Sequence, residues 1–374
     1  MNFDFSDEQK QLKDSARRFL SKESTTARVR AVLEGEAGYD KALWKGLADM
    51  GFQGAAIPEE HGGLGLGYLE LCVIAEELGR ALAPVPFSSS VFLFAEFLKQ
   101  AGSDAQKAAH LPAIASGEKI GTFAYVEGAG EMTLERVVAS VTGGRLSGTK
   151  LPVAAGGIAD VAVVVARDGS GRNAPVSLHI VDLNGPGVTR TAVKTVDPSR
   201  KFTRLDFQGA SAELLGRAGE GARILSDVLD RAAILTAFEQ VGGSDRALEM
   251  ARDYAQQRMA FGRPIGSFQA IKHMLADMYV SATLARSNAY YAAWALSTGA
   301  AELPVAAATA RVSATQAFQH CSTNNIQVHG GMGFTWQFDC HLFYRRSNML
   351  ALSLGSQSHW ETQLIDRMRR RNAA

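Results

Sequence analysis

Apolar positions in the first third of the chain recur at helical intervals. Ser6 followed by Gln9 has the spacing of a capping box, and Leu12, Ala16, Phe19 and Leu20 follow in steps of three and four, which predicts an opening amphipathic helix. Leu43, Trp44, Leu47 and Met50 predict a second helix. After a loop containing Pro58, Gly62, Gly63 and Gly65, the period resumes with Leu69, Val73, Ile74, Glu77 and Leu78. Helices are therefore expected up to about residue 115.

The pattern then changes. The runs 122–126, 136–141, 161–166 and 176–181 are short and rich in β-branched residues, and Gly143-Gly144, Gly156-Gly157 and Asp168-Gly169-Ser170-Gly171 punctuate them as tight turns between antiparallel strands. From Gly219 the helical period returns, with Leu225, Val228, Leu229, Ala232 and Ala233 on one face and later Ile271, Met274, Leu275 and Met278. The order helices, strands, helices predicts an α+β fold. Its expected parts are an N-terminal all-helical domain over 1–115, a middle antiparallel β-domain over 116–215 and a C-terminal helical-bundle domain over 216–374.

Composition narrows the function. Lys and Arg number 39 against 38 for Asp and Glu, and these charges are dispersed, so no footprint for nucleic acid or an anionic membrane is expected. At 46% hydrophobic and 21% charged residues the 374-residue chain can bury a large core. Cys72, Cys321 and Cys340 lie far apart with no C-x-x-C pair, which argues against a disulfide framework and a zinc site. The acidic opening Met1–Glu8 lacks the basic start and apolar run of a signal peptide, and no long apolar stretch follows, so a cytoplasmic protein is expected.

Two segments of the last third are neither good helix nor good strand. Arg258-Met259-Ala260-Phe261-Gly262-Arg263-Pro264-Ile265-Gly266-Ser267-Phe268-Gln269 combines guanidiniums, aromatics and bend-forming residues, a composition suited to a diphosphate and a flat ring. Gln327-Val328-His329-Gly330-Gly331-Met332-Gly333-Phe334-Thr335 clusters glycines that allow close backbone approach. Taken singly, each also fits a plain helix connection with surface arginines or a loop. His329 reads as a spacer near a ligand rather than as a catalytic group.

Together these segments resemble the acyl-CoA dehydrogenases, flavoproteins that desaturate acyl-CoA thioesters. The family pattern R-x-x-F-G-x-P-I-x-x-F-Q is matched at Arg258, Phe261, Gly262, Pro264, Ile265, Phe268 and Gln269, and Q-x-x-G-G-x-G-F at Gln327, Gly330, Gly331, Gly333 and Phe334. Phe5-Ser6-Asp7-Glu8-Gln9, the loop 57–65 and Glu76-Glu77-Leu78-Gly79-Arg80 are similar to the family's opening helix and its Pro-Glu-Glu-x-Gly-Gly loop. The resemblance implies FAD as cofactor, with Arg258, Phe261 and Gln269 reaching the diphosphate and adenine side of a neighbouring subunit's cofactor and Gln327, Gly330 and Gly331 completing the shared site. It also implies an acyl-CoA substrate, an electron-transfer flavoprotein as acceptor, and a homo-oligomer or a hetero-oligomer with a related chain.

The sequence departs from the family at the catalytic base. Counted from Gln327, the place of the usual glutamate is Leu354, within Leu352-Ser353-Leu354-Gly355-Ser356-Gln357; its backbone N–H remains available for the thioester carbonyl, but no carboxylate does. The family's second location for the base falls at Ala232. Glu239, two helical turns further on, lies on nearly the same helix face and is the expected base, with Asp230 as the weaker alternative. Around the flavin ring, Tyr125-Val126-Glu127-Gly128-Ala129-Gly130 and Lys150-Leu151-Pro152-Val153-Ala154-Ala155-Gly156 replace the usual segments, a divergence resembling the branch that acts on steroid side chains and other bulky or dicarboxylic acyl-CoA esters. Two readings follow: an FAD-dependent α,β-dehydrogenase in its own right, or a non-catalytic subunit that completes the flavin site of a related chain.

Overall fold

Ser6 caps the first helix as its spacing requires. Its Oγ accepts the N–H of Gln9 at 3.2 Å, and the Gln9 side chain accepts the N–H of Ser6 at 2.9 Å. The computed structural model describes residues 5–373; the first four residues of the acidic opening lie outside these. The helices are α1 (Asp7–Glu23), α2 (Thr26–Glu34), α3 (Lys41–Asp49), α4 (Tyr68–Arg80), α5 (Glu96–Ala101), α6 (Asp104–Ala115), α7 (Gly221–Gln257), α8 (Gln269–Thr298), α9 (Leu303–His329), α10 (Cys340–Leu352) and α11 (Gln357–Ala373). Strands β1 (Gly121–Ala124), β2 (Ser140–Thr142), β3 (Arg145–Ala154), β4 (Val161–Asp168), β5 (Val176–Asp182), β6 (Val188–Val193), β7 (Phe202–Ser211) and β8 (Glu213–Leu215) lie between α6 and α7, and a short hairpin, β9 (Met259–Ala260) and β10 (Arg263–Pro264), joins α7 to α8.

By compactness the chain forms two units that cut across the three consecutive stretches expected from sequence. The first gathers the segment up to Val29, Tyr68–Ala83 and everything from Ala233 onward, so α1 and α4 join the C-terminal helices. Glycines explain how α4 reaches them. A Cβ on Gly79 would lie 1.9 Å from the carbonyl oxygen of Glu239, and one on Gly242 would lie 1.9 Å from that of Glu76, so α4 and α7 cross backbone against backbone. On the α4 side the crossing buries Glu76 and Glu77, and both carboxylates are paired: Glu76 with Lys13 at 2.8 Å and Arg286 at 2.7 Å, Glu77 with Nε and Nη2 of Arg17. Helix α11 is seated through Trp360, which packs against Ala233 and Ala308.

The second unit, Arg30–Gly67 with Pro84–Ala232, holds an eight-stranded sheet in the order β6-β7-β3-β2-β4-β5-β8, with β1 also on β4. Its pairing is antiparallel except that β1 and β2 both run parallel to β4. The run 136–141 was expected as one strand, yet only Ser140 and Val141 join β2. Side chains take the backbone groups a neighbouring strand would use: the Arg167 guanidinium donates to the carbonyls of Leu134 and Val137, and Glu127 accepts the N–H groups of Val138 and Ala139. Among the described residues no helix is long and apolar enough to cross a membrane, and no cluster of His, Cys, Asp and Glu suits a metal ion.

Candidate active site

The two motif segments emerge at helix ends in the first unit. Arg258 follows the last residue of α7, and its N–H closes that helix on the Tyr254 carbonyl at 2.8 Å. The hairpin then turns through Phe261 and Gly262, both at positive φ (53° and 79°), and leaves the Phe261 ring 95% exposed. A bulky residue in the left-handed region with its ring in solvent is an outlier that points to a role outside the chain's own core. The Arg263 guanidinium lies over the Phe268 ring at 4.1 Å, and Phe261 meets the same ring edge-on, so the hairpin is stiffened from within. Gln269 is the first residue of α8, whose N-terminus has no side-chain cap.

At the end of α9, Gln327 is exposed and Gly330 takes φ 59°, ψ −140°, a combination essentially reserved for glycine. A Cβ at Gly330 or Gly331 would meet nothing within 4 Å. The side chains of Arg258, Gln269 and Gln327 make no hydrogen bond or ion pair with any described residue. An uncommitted guanidinium, two amides, a bare glycine surface and an uncapped helix N-terminus form a donor set that fits a diphosphate. All of it is at the surface.

The surroundings of Leu354 are of the opposite kind. Arg311, 1% exposed, donates from one nitrogen to Gln240 Oε1 and Thr315 Oγ1 and from the other to the carbonyls of Leu350 and Ser353, the last at 2.7 Å. Burial brings its pKa down to about 10, which leaves it charged at neutral pH. Leu354 itself has φ 60°, and its carbonyl accepts the Trp360 indole N–H at 2.9 Å. The backbone of this turn is thus fixed from both sides while its side chain offers no chemistry. Sequence reading missed Arg311. The available signal was one guanidinium in the alanine stripe Ala306, Ala307, Ala308, Ala310, Ala314 and Ala317, where a charge needs buried acceptors.

Glu239, expected as the base, is 1% exposed at the crossing of α4 and α7, and its carboxylate faces the equally buried Arg346 at 3.6 Å. Arg346 also donates to the carbonyl of Leu82 at 3.2 Å. This is the arrangement of an interior ion pair rather than of a group at the edge of a cleft. Asp230, the alternative, belongs to the other compact unit and is 4% exposed.

In the β-domain, the two divergent segments are tied to each other. Lys150, fully buried, donates to Glu127 at 2.7 Å and to the Tyr125 carbonyl at 2.9 Å; burial lowers its pKa to about 8 although Glu127 opposes the shift. The N–H of Leu151 donates to the Val126 carbonyl at 2.7 Å. With Lys150 and Glu127 engaged and no hydroxyl in 150–156, that segment has only backbone groups to offer a ligand.

Comparison with known proteins identifies the family and the fold. The model for the acyl-CoA dehydrogenase C-terminal domain matches residues 219–368 and that for the N-terminal domain residues 6–118. The chain is 32% identical over 351 residues to the acyl-CoA dehydrogenase IpdE2 of Mycobacterium tuberculosis, covering 94% of each. Among solved structures, it is similar to a chain of the Tcur3481-Tcur3483 steroid ACAD (31% identity, TM-score 0.89, covering 98% of this chain and 99% of that one). It is also similar to a chain of the ChsE4-ChsE5 complex from M. tuberculosis (29% identity, TM-score 0.88, covering 100% and 99%).

Proposed function

This chain belongs to the acyl-CoA dehydrogenase family, and on that premise we propose that it works in an oligomer in which it supplies the diphosphate flank of an FAD site while a related, glutamate-bearing chain supplies the base. The activity is FAD-dependent dehydrogenation of an acyl-CoA thioester. One contrast carries the assignment of roles. The family's two base positions hold Leu354 and Ala232, and Glu239 faces Arg346 in the interior, whereas Arg258, Gln269 and Gln327 stand uncommitted at the surface. The two solved assemblies similar to this chain are each named for two chains, which supports a hetero-oligomer, and one is named a steroid ACAD, which supports a bulky acyl group.

FAD held by these residues would supply the acceptor for a hydride leaving Cβ of the substrate. Arg258 neutralises diphosphate charge with planar donors, worth about 1.5–3 kcal/mol for a charged hydrogen bond. Gln269 and Gln327 would orient the same group through their amides, Gly330 and Gly331 would admit it to the backbone, and the exposed Phe261 ring would offer it a flat apolar contact. An electron-transfer flavoprotein is the proposed acceptor, on the family resemblance.

A second reading keeps the base within this chain. Glu239 lies two turns beyond Ala232 on α7, and it would act if Arg346 released it. Anaerobic reduction of flavin by a panel of acyl-CoA esters separates the two readings. The chain alone is expected to leave flavin oxidised, and mixing it with a glutamate-bearing relative is expected to give reduction, with Glu239→Gln unchanged in the mixture. Reduction by the chain alone that slows about 10²-fold or more in Glu239→Gln makes Glu239 the base and overturns the shared assignment.

A further inference from the structure

We propose that Tyr254, His329 and Phe338 form an aromatic clip that sets the spacing between the two halves of the cofactor flank, with His329 as its positioning residue. The proposal rests on the reading that Arg258 on one side and Gln327, Gly330 and Gly331 on the other receive the FAD diphosphate. Tyr254 and His329 stack with ring centroids 4.1 Å apart at 25°, and Phe338 closes on both edge-on, at 5.9 Å from Tyr254 and 5.6 Å from His329. The edge-on contacts of Phe338 are favourable geometries for aromatic pairs, and the stack is a close face-to-face contact.

The position of the clip gives it its role. Tyr254 is the residue whose carbonyl receives the N–H of Arg258, so fixing its ring fixes the helix end from which Arg258 departs. His329 is the last residue of α9 and the immediate neighbour of Gly330. Its Nδ1 lies 2.7 Å from the Asn325 carbonyl, which orients the imidazole against the helix end. Asn325, one turn earlier, has its side-chain amide buried with neither atom hydrogen-bonded, so that side chain adds no polar anchor there. Two helix C-termini are thereby held ring against ring. Since C-terminal dipole ends repel an anion, the guanidinium and the open glycines must be correctly spaced to outweigh them.

The test is FAD titration of the full chain, in the oligomer in which it takes up flavin, followed by flavin fluorescence and by the visible spectrum of the bound ring. His329→Ala is expected to weaken FAD binding about tenfold, and His329→Phe, which keeps the stack without the ring nitrogens, to recover most of that loss. Arg258→Ala is run beside them. If Arg258→Ala weakens binding while His329→Ala leaves it at the parent value, or if His329→Phe is no better than His329→Ala, the clip is overturned and the site reading stands. If Arg258→Ala has no effect, or the parent takes up no FAD in any assembly, the site reading falls and the clip with it. Should His329→Ala not yield folded protein, Tyr254→Leu reads the clip from the other helix, and parent-like FAD affinity there overturns it.

Discussion

Two regions of the helical unit treat their charged groups in opposite ways. Around Arg311, Arg346 and Glu239, cationic groups are buried and answered from within the chain, by Gln240, Thr315, the Leu350 and Ser353 carbonyls, and the Glu239 carboxylate. Around Arg258, Gln269 and Gln327, polar side chains are exposed and bond to no described residue. A polar group taken out of water has to be satisfied by the fold, so the first region reports on folding. A group left in water needs no such partner, so these exposed donors stay available to a ligand, which is what the proposed cofactor flank requires. Helix periodicity places Glu239 on nearly the face of Ala232, the location the family resemblance implies, and neither separates these cases.

The sharpest way to break this contrast is Arg311→Met. Several buried acceptors lose their donor at about 1–3 kcal/mol each, so urea unfolding is expected to show a loss of about 3 kcal/mol or more. A loss below about 1 kcal/mol would mean that the sealed region is not a folding element. Arg258→Ala should do the reverse. Apo stability should stay within about 0.5 kcal/mol of the parent while FAD affinity falls roughly tenfold to a hundredfold, measured by equilibrium titration. A large loss of apo stability with flavin content unchanged would move Arg258 into the first class.

The smallest expected effect concerns His329, which lies between the classes. Burial holds its pKa below the usual value, so the unfolded chain binds the proton more readily than the folded one. Stability should therefore rise with pH from the lowered value up to about 6.5, and acidification through that window should cost the folded state. His329→Phe is expected to remove this part of the acid-side loss in thermal unfolding at pH 5–7. An unchanged slope would show that the imidazole stays equally accessible in both states.

Much of the architecture was legible in the sequence because periodicity reports burial directly. The capping box at Ser6, the helix around Leu43–Met50 and the β-rich middle are all present. Strands β3 and β7 were harder to see, since Lys150 and Thr203 point inward and break the apolar alternation. The association of α1 and α4 with the C-terminal helices was not legible at all. It depends on Gly79 meeting Glu239 and Gly242 meeting Glu76, contacts between residues far apart in the chain that carry no local signature. Arg258 and Gly330 are proposed for the site from composition and resemblance, whereas Arg311 and Tyr254 act through neighbours that only the fold brings together.

The turn at Leu354 has a practical side. A left-handed φ of 60° is unfavourable for leucine, as for any residue with a Cβ. Bonds from Arg311 to the carbonyls of Leu350 and Ser353 and from Trp360 to the carbonyl of Leu354 hold the backbone there, and none of them involves the leucine side chain. Any residue installed at 354 therefore inherits the same backbone and the same Cα–Cβ direction, and glutamate meets no steric demand in φ that leucine does not already bear. Retrofitting the chain with a carboxylate becomes a one-codon change that leaves the loop as it is, which makes position 354 the place to begin engineering a subunit that carries out proton abstraction unaided.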